Sequence, residues 1–359
     1  TRPLDRAHAF CTRYGLEMPV LMAPMAGTSP PALAAAVANA GGMGACGALP
    51  LSPSAIADWA ARFRQQSAGA FQINLWVPDT PPRRDAGLEA AQARFLASFG
   101  PEPTAPPDGP LTVDFDAQFD AILQAAPPVA STIMGLFRPD QVDALKERGI
   151  SWFATATTVA EARAAQAAGA EAIIAQGAEA GGHRGSFTPE DAPRATVGTL
   201  ALVPAVADAV SVPVIAAGGI GDGRGVAAVL ALGASAAMIG TALLRTPEAD
   251  INPAWNRALA AACPEDTTLT RAFSGRTHGR TARALTNAFT RAADHPAAPA
   301  PAPYPVQKHL TEPMLRKALA AQDIDHLYAL SGQAAALARA EPAGDVMVRL
   351  WREARSLLA

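Results

Sequence analysis

The residues best suited to chemistry lie in one short run, Gln176 to Gly185, which reads QGAEAGGHRG. It sets a single histidine, His183, directly behind the glycine pair Gly181 and Gly182, shortly after the apolar stretch Ala172 to Ala175. Glycine lets a backbone approach a ligand closely, and an imidazole near its ordinary pKa exchanges a proton at neutral pH. Two more glycine turns follow apolar runs. One is VIAAGGIGDG from Val214, carrying Ala217, Gly218, Gly219 and Gly221; the other is MIGTALL from Met238, carrying Gly240 and Thr241. Amides freed by such turns, helped by an adjacent helix N-terminus, favour an anion. Singly, each cluster reads as an ordinary turn. Together they describe a phosphate-bearing cofactor held by backbone amides, with one acid/base group beside it.

The elements that must position these residues follow a regular order. Strands are expected at 20–23, 43–48, 71–76, 130–134, 152–156, 172–176, 213–217 and 236–243. Helices are expected at 29–39, 53–66, 114–126, 139–147, 159–168, 198–209 and 224–232. Short apolar runs alternating with helices build parallel βαβ units, and eight of them make an α/β fold of the (β/α)8 TIM barrel type, with a doubly wound open sheet as the alternative. In such a barrel the loops after the strands form the site, and the last two commonly grip a phosphate. The barrel is assigned to residues 1–246, with a proline-rich rim insertion at 78–110 that carries a short helix at 87–99. A helical cap on the substrate side is assigned to 247–311, with helices at 252–262 and 281–290 and a stiff proline-rich connector at 295–305. Helices at 312–322, 324–340 and 343–358 are expected to pack back on the barrel.

Composition narrows the function classes. Of 359 residues half are hydrophobic, 17% are charged and the net charge is −3, which suits a compact globular protein and argues against a nucleic-acid partner. No apolar run reaches membrane-spanning length, so no membrane partner is expected. Cys11, Cys46 and Cys263 are widely spaced, without a disulfide framework or zinc spacing, and Cys46 falls on a strand as core. The N-terminal TRPLDRAHAF has no apolar signal core, and the cysteine usage suits a reducing, cytoplasmic setting. His8, His278, His295, His309 and His326 show no ligand spacing, so no metal is expected. Arg276, Arg280 and Arg283 with His278 read as a salt-bridged structural cluster, with an anion contact as the lesser alternative. The sequence sets no oligomeric state.

APMAG at 23–27, FQINLW at 71–76, QGAEAGGHRG, AAGGIGDG and IGTALL, in this order and spacing, strongly resemble the FMN-dependent nitronate monooxygenases, once called 2-nitropropane dioxygenases. The resemblance runs from about Pro19 to Leu244 and continues through SGRTHGRTARALTNAF at 274–289 and YPVQKHL at 304–310, the latter similar to a segment found in one class of these enzymes. It implies FMN contacts from Met25, Ala26, Gly27, Asn74, Gln176, Gly181, Gly182, Ala217, Gly218, Gly219, Gly240 and Thr241. Relatives often carry glutamine where this chain has Met238, which puts a side-chain contact there in doubt but not the backbone grip. Asn74 and Gln176 also suit a flavin edge on their own chemistry, since an amide both donates and accepts, although each could equally be a structural amide. The resemblance makes His183 the catalytic base for neutral nitroalkanes, or the anchor of an already anionic nitronate, with oxygen completing the reaction to a carbonyl compound and nitrite. It places Lys308 and Tyr304 on the substrate side, one to attract the anion and one to donate to a nitro oxygen. Trp76 and Phe187 are expected as apolar rim residues facing a small organic substrate. Other readings of the same barrel are an FMN-dependent enoyl-acyl-carrier-protein reductase, whose EAGGH and AAGGI are nearly identical, and an NAD(P)H:quinone reductase. Outside enzymes, a non-catalytic flavin-binding protein or a non-flavin phosphate-binding barrel would share these glycines.

Overall fold

The computed structural model describes residues 2–81, 83–107, 109–274 and 280–359, so Arg276 and His278 of the expected basic cluster lie outside the described residues. The chain begins α1 (Pro3–Tyr14), β1 (Val20–Met22), α2 (Pro31–Asn39), β2 (Gly44–Gly47), α3 (Pro53–Arg64) and β3 (Phe71–Trp76). It continues α4 (Ala86–Leu96), α5 (Phe115–Ala125), β4 (Val129–Ile133), α6 (Pro139–Glu147), β5 (Ser151–Ala156), α7 (Val159–Ala167) and β6 (Ala172–Gln176). Then come β7 (Gly182–His183), α8 (Thr199–Ala209), β8 (Val214–Ala217), α9 (Gly223–Ala231), β9 (Ala236–Ile239) and α10 (Pro253–Ala261). The C-terminal part holds β10 (Thr267–Thr270), β11 (Ala282–Leu285), α11 (Ala288–Ala293), α12 (Val306–Ala321) and α13 (Ala343–Leu358).

Eight parallel strands, all those up to β9 except β7, pair in the order β1-β9-β8-β6-β5-β4-β3-β2. The ring closes through one bridge, Leu21 to Met43, where the Met22 amide donates to the Met43 carbonyl at 2.9 Å. This is the (β/α)8 barrel and not the open doubly wound sheet. The strands are buried on both faces, which is why they read as near-continuous apolar runs: every residue of FQINLW and of AIIAQ is buried. Successive residues alternate between two cores. Val20 and Ile173 face the helices, packed with Leu33, Phe63 and Val203, while Leu21 and Ile174 join Phe153, Ile215 and Met43. Phe10 and Cys11 of α1 belong to this second core.

Three expectations fail in the C-terminal part. The first is that strands end at residue 246. In fact β10 and β11 pair antiparallel, and β11 pairs in turn with β7, with Ala282 opposite His183 and Arg283 opposite Gly182. The segment TARALTNAF is rich in good helix formers, yet it has neighbours on both edges, and pairing overrides propensity. Its helix, α11, starts only after Asn287, whose side chain accepts from the Thr290 amide at 2.9 Å. The second is that residues 324–340 form a helix. They instead hold short 3-10 turns at Ile324–His326 and Ala335–Leu337, with Leu330 bridged to Ala284 between them. The third is that a helix starts at 312; α12 starts at Val306 and runs through Pro313. Strand β9 is also shorter than expected, since Gly240 breaks it and a single 3-10 turn follows.

Helix α4, inside the proline-rich stretch, packs on α12. Its Gln92 donates to the carbonyls of Pro299 and Ala300 at 2.7 and 2.9 Å and accepts from Gln307 at 3.2 Å. Helix α13 buries Val346, Met347, Leu350 and Ala354 against α9 and α2. Among the described residues no helix is long and apolar enough to cross a membrane.

Candidate active site

A cavity of about 650 Å³ opens at the C-terminal ends of the barrel strands. Its wall brings together Met25, Ala26 and Gly27 after β1, Asn74 on β3, Gln176 at the end of β6, and Gly181, Gly182 and His183 around β7. Ala217, Gly218 and Gly219 at the end of β8, Met238, Gly240 and Thr241 at the end of β9, and Lys308 on α12 join them. Trp76 and Ile133 also line it. Tyr304 does not reach the wall; it stacks behind Trp76, ring centroids 5.2 Å apart and 8° from parallel, with its buried hydroxyl unpartnered among the described residues. Gly221 lies outside the wall as well, within contact distance of Leu337, and Phe187 packs against the main core instead of the cavity.

Residues that sequence reading missed stand beside these. Tyr328 lines the cavity with its hydroxyl 3.3 Å from His183 Nε2. It sits in the stretch read as a helix, and no motif marks it. Trp255 and Gly332 line the wall too, and so does Glu179, which the motif contains but whose role the spacing does not reveal.

The glycines are used where backbones crowd. Gly218 has φ +115°, and a Cβ there would sit 3.0 Å from the Ala180 amide nitrogen. A Cβ on Gly332 would come within 2.6 Å of both the Glu179 carbonyl oxygen and the Gly181 nitrogen, so the C-terminal segment docks directly on the loop that carries His183. The amide groups of Gly219, Gly240 and Thr241 find no acceptor among the described residues. Such unpaired donors at a cavity wall suit an anionic oxygen cluster. The nearby helix ends contribute less than the sequence suggested. Glu179 accepts from the Thr199 amide and hydroxyl at 2.9 Å and so caps α8, and Asp222 caps α9 by accepting from the Gly225 amide at 3.0 Å.

The two strand-end amides differ. Asn74 donates to Ser131 Oγ at 3.1 Å and keeps hydrogen-bonding capacity to spare. Gln176 donates to the His183 carbonyl at 3.0 Å and accepts from the Gly185 amide at 2.8 Å. It therefore pins the His183 loop to the barrel, which is the structural use of an amide, while still lining the cavity.

Electrostatics set the state of His183. Burial, then the charges of Lys308 and Arg280, push its pKa down to about 3, well below the ordinary value assumed from sequence. The imidazole is neutral at working pH. Its ring meets Trp76 edge-on, centroids 4.8 Å apart. Burial also holds Lys308 below the ordinary lysine value, with Glu312 opposing.

Three buried arginines fix this region. Arg280 is fully buried, paired with Asp79 through two hydrogen bonds of 2.9 and 2.5 Å, and it also donates to the Ser186 carbonyl. Arg283 donates to the Ala178 carbonyl at 2.9 Å and to Thr267 Oγ1 at 3.0 Å. Arg184, which the sequence did not single out, donates to the carbonyls of Gly177, Gln176 and Ala195. The salt-bridged structural expectation fits Arg280; Arg283 is hydrogen-bonded but has no salt bridge among the described residues.

A parallel barrel with a roomy cavity at its C-terminal rim, unpaired glycine amides and one histidine is the architecture of an enzyme whose site lies at the barrel mouth. The family model described as nitronate monooxygenase matches residues 10–353. The chain is 39% identical over 345 residues to a nitronate monooxygenase of Paraburkholderia phytofirmans, covering 94% of this chain and 93% of that one. Its fold matches a nitroalkane oxidase from Streptomyces ansochromogenes with TM-score 0.86 and 38% identity, covering 96% and 98% of the two chains. FabK from Thermotoga maritima is more distant, at TM-score 0.73 and 27% identity, covering 98% and 96%. The chain belongs to the nitronate monooxygenase family, a family of oxidoreductases.

Proposed function

We propose that this chain binds FMN across the mouth of the barrel and oxidises alkyl nitronates with O2 to carbonyl compounds and nitrite. The observation that carries the reading is the meeting, in one wall, of unpaired glycine amides, two strand-end carboxamides, a neutral histidine and a lysine. The group fits. The amides of Gly219, Gly240 and Thr241 lack acceptors that a phosphate would supply, and Gly218 holds a backbone turn that a side chain would strain. Spare hydrogen-bonding capacity on Asn74 suits the polar edge of a flavin ring. When bound, the flavin supplies the electron acceptor and the oxygen chemistry.

The chain's own residues then position and exclude. Lys308 offers a cation to the nitronate, and its lowered pKa reflects the poor hydration that strengthens such a contact. His183, held neutral by burial and two nearby cations, is a weak proton acceptor, so the arrangement favours the anchor of an anionic nitronate over the base for a neutral nitroalkane. Trp76 and Ile133 supply apolar wall that keeps water away. Tyr304 acts behind Trp76, as a support rather than as a donor to the nitro group.

The likeness to FabK keeps a nicotinamide-driven reductase as the second reading. Anaerobic stopped-flow mixing of the yellow protein with propyl nitronate, and separately with NADH and NADPH, tests both. Bleaching of the flavin by nitronate is the expected result. Bleaching by a nicotinamide alone would overturn the monooxygenase reading.

A further inference from the structure

Tyr328 has no assigned role, yet its hydroxyl is the one side-chain group within hydrogen-bond distance of the His183 ring among the described residues. The phenol is partly buried, and that burial raises its pKa, so it keeps its single hydrogen. Its ring is held by stacking on Phe273, with centroids 4.2 Å apart and planes 19° from parallel. Phe273 in turn packs edge-on against Phe289 within the small core under α12.

We propose that Tyr328 is a positioning residue that donates its hydroxyl hydrogen to His183 Nε2, and so fixes the imidazole as the Nδ1–H tautomer with that N–H offered to the cavity. A hydroxyl hydrogen partly shielded from water goes to the acceptor within reach, here the ring nitrogen at 3.3 Å. Were Nε2 protonated instead, it would point a second hydrogen at the phenol oxygen, and the phenol hydrogen would have to turn elsewhere. The other hydroxyl near the phenol is that of Ser274, which gives its own hydrogen to the Arg280 carbonyl at 2.6 Å and is the alternative acceptor. An imidazole nitrogen is the more basic acceptor of the two, which decides the direction. Nδ1 has no protein partner among the described residues, and it is not sealed off, so it is the open nitrogen of the ring. Trp76 meets the ring edge-on, and Lys308 and Arg280 are the charges acting on it; none of them fixes a ring nitrogen. The chemical consequence is definite. The atom facing the cavity is a hydrogen-bond donor suited to an anionic oxygen, and not a lone pair suited to a carbon-bound proton.

This assignment rests on the proposed nitronate reading for its purpose, but not for its test. Two-bond ¹H–¹⁵N spectra of the holoenzyme labelled at histidine nitrogen distinguish the tautomers, and His183→Asn identifies the signal. The expected result is a protonated Nδ1 in the wild type at neutral pH, moving towards the Nε2–H form in Tyr328→Phe. A wild-type Nε2–H signal would overturn the proposal, since the phenol would then be donating to Ser274. If Tyr328→Phe folds poorly, the wild-type spectrum alone still decides. In turnover, Tyr328→Phe is expected to raise KM for propyl nitronate about tenfold with kcat changed by less than twofold; equal loss in both would mark a merely structural tyrosine. Failure of nitronate turnover with the Nδ1–H signal intact would sink the functional reading and leave the tautomer assignment standing.

Discussion

At the residue scale the site is governed by two cationic side chains around a neutral ring. Lys308 titrates below an ordinary lysine because burial penalises its charge more than Glu312 restores it. The sign follows directly: the ammonium is lost on raising the pH, earlier than for a free lysine, while a nitronate stays anionic. KM for a nitronate is therefore expected to climb on the alkaline side, by roughly ten- to hundredfold, the equivalent of about 1.5–3 kcal/mol for a hydrogen bond to a charged group. Steady-state pH profiles check this, and an unchanged alkaline limb in Lys308→Met would assign it to another group. Most of these residues were legible beforehand because their motifs put glycine and histidine at strand ends. Tyr328 was not, since its partnership with His183 spans 145 positions and depends on how the C-terminal segment folds back. Tyr304 shows a related gap: a motif gives proximity, but a ring stacked behind Trp76 looks the same in sequence as one within the wall.

At the element scale the decisive contact is between the segment around Gly332 and the loop from Glu179 to Gly181. Gln333 donates its amide to the Glu179 carbonyl at 2.9 Å, and Gly332 donates to Thr241 Oγ1 at 2.9 Å, so one short stretch ties together the turns after β6 and β9. Adding a methyl at Gly332 meets backbone on both sides, an overpacking that costs about 1–3 kcal/mol. Gly332→Ala is expected to fold but to lose flavin on desalting, read as a lower ratio of flavin absorbance to protein. Gly344→Ala, where the nearest atom is 3.7 Å away, serves as the control and should retain it. Full retention in Gly332→Ala would show that this contact does not shape the cavity. The small sheet of β7, β10 and β11 escaped sequence reading because β7 has only two residues, one of them glycine, and β11 carries alanine, arginine and leucine. Neither has the alternation that marks a strand.

At the scale of the whole molecule the eight βα units were plain, because buried parallel strands must be apolar on both faces and each is punctuated by a helix. The C-terminal third was plain in α10 and in its amphipathic helix, α13, whose apolar stripe lies against α9 and α2. Sequence periodicity cannot say what an irregular segment touches, and residues 324–340 are held by contacts to β11, Thr241 and Glu179 that no local pattern encodes. The ring of strands has one further property. Every other neighbouring pair shares three to five register positions, whereas β1 and β2 meet at a single bridge. In a hoop of staves, the loosest joint gives first. Strand β1 leads directly into the loop from Met25 to Gly27, so opening at that joint is expected to loosen the hold on whatever occupies the mouth. Deuterium exchange should find the Met22 amide opening sooner than those of β4 and β5, and slowed when the mouth is filled; equal protection all round would mean that the joint is as tight as the rest.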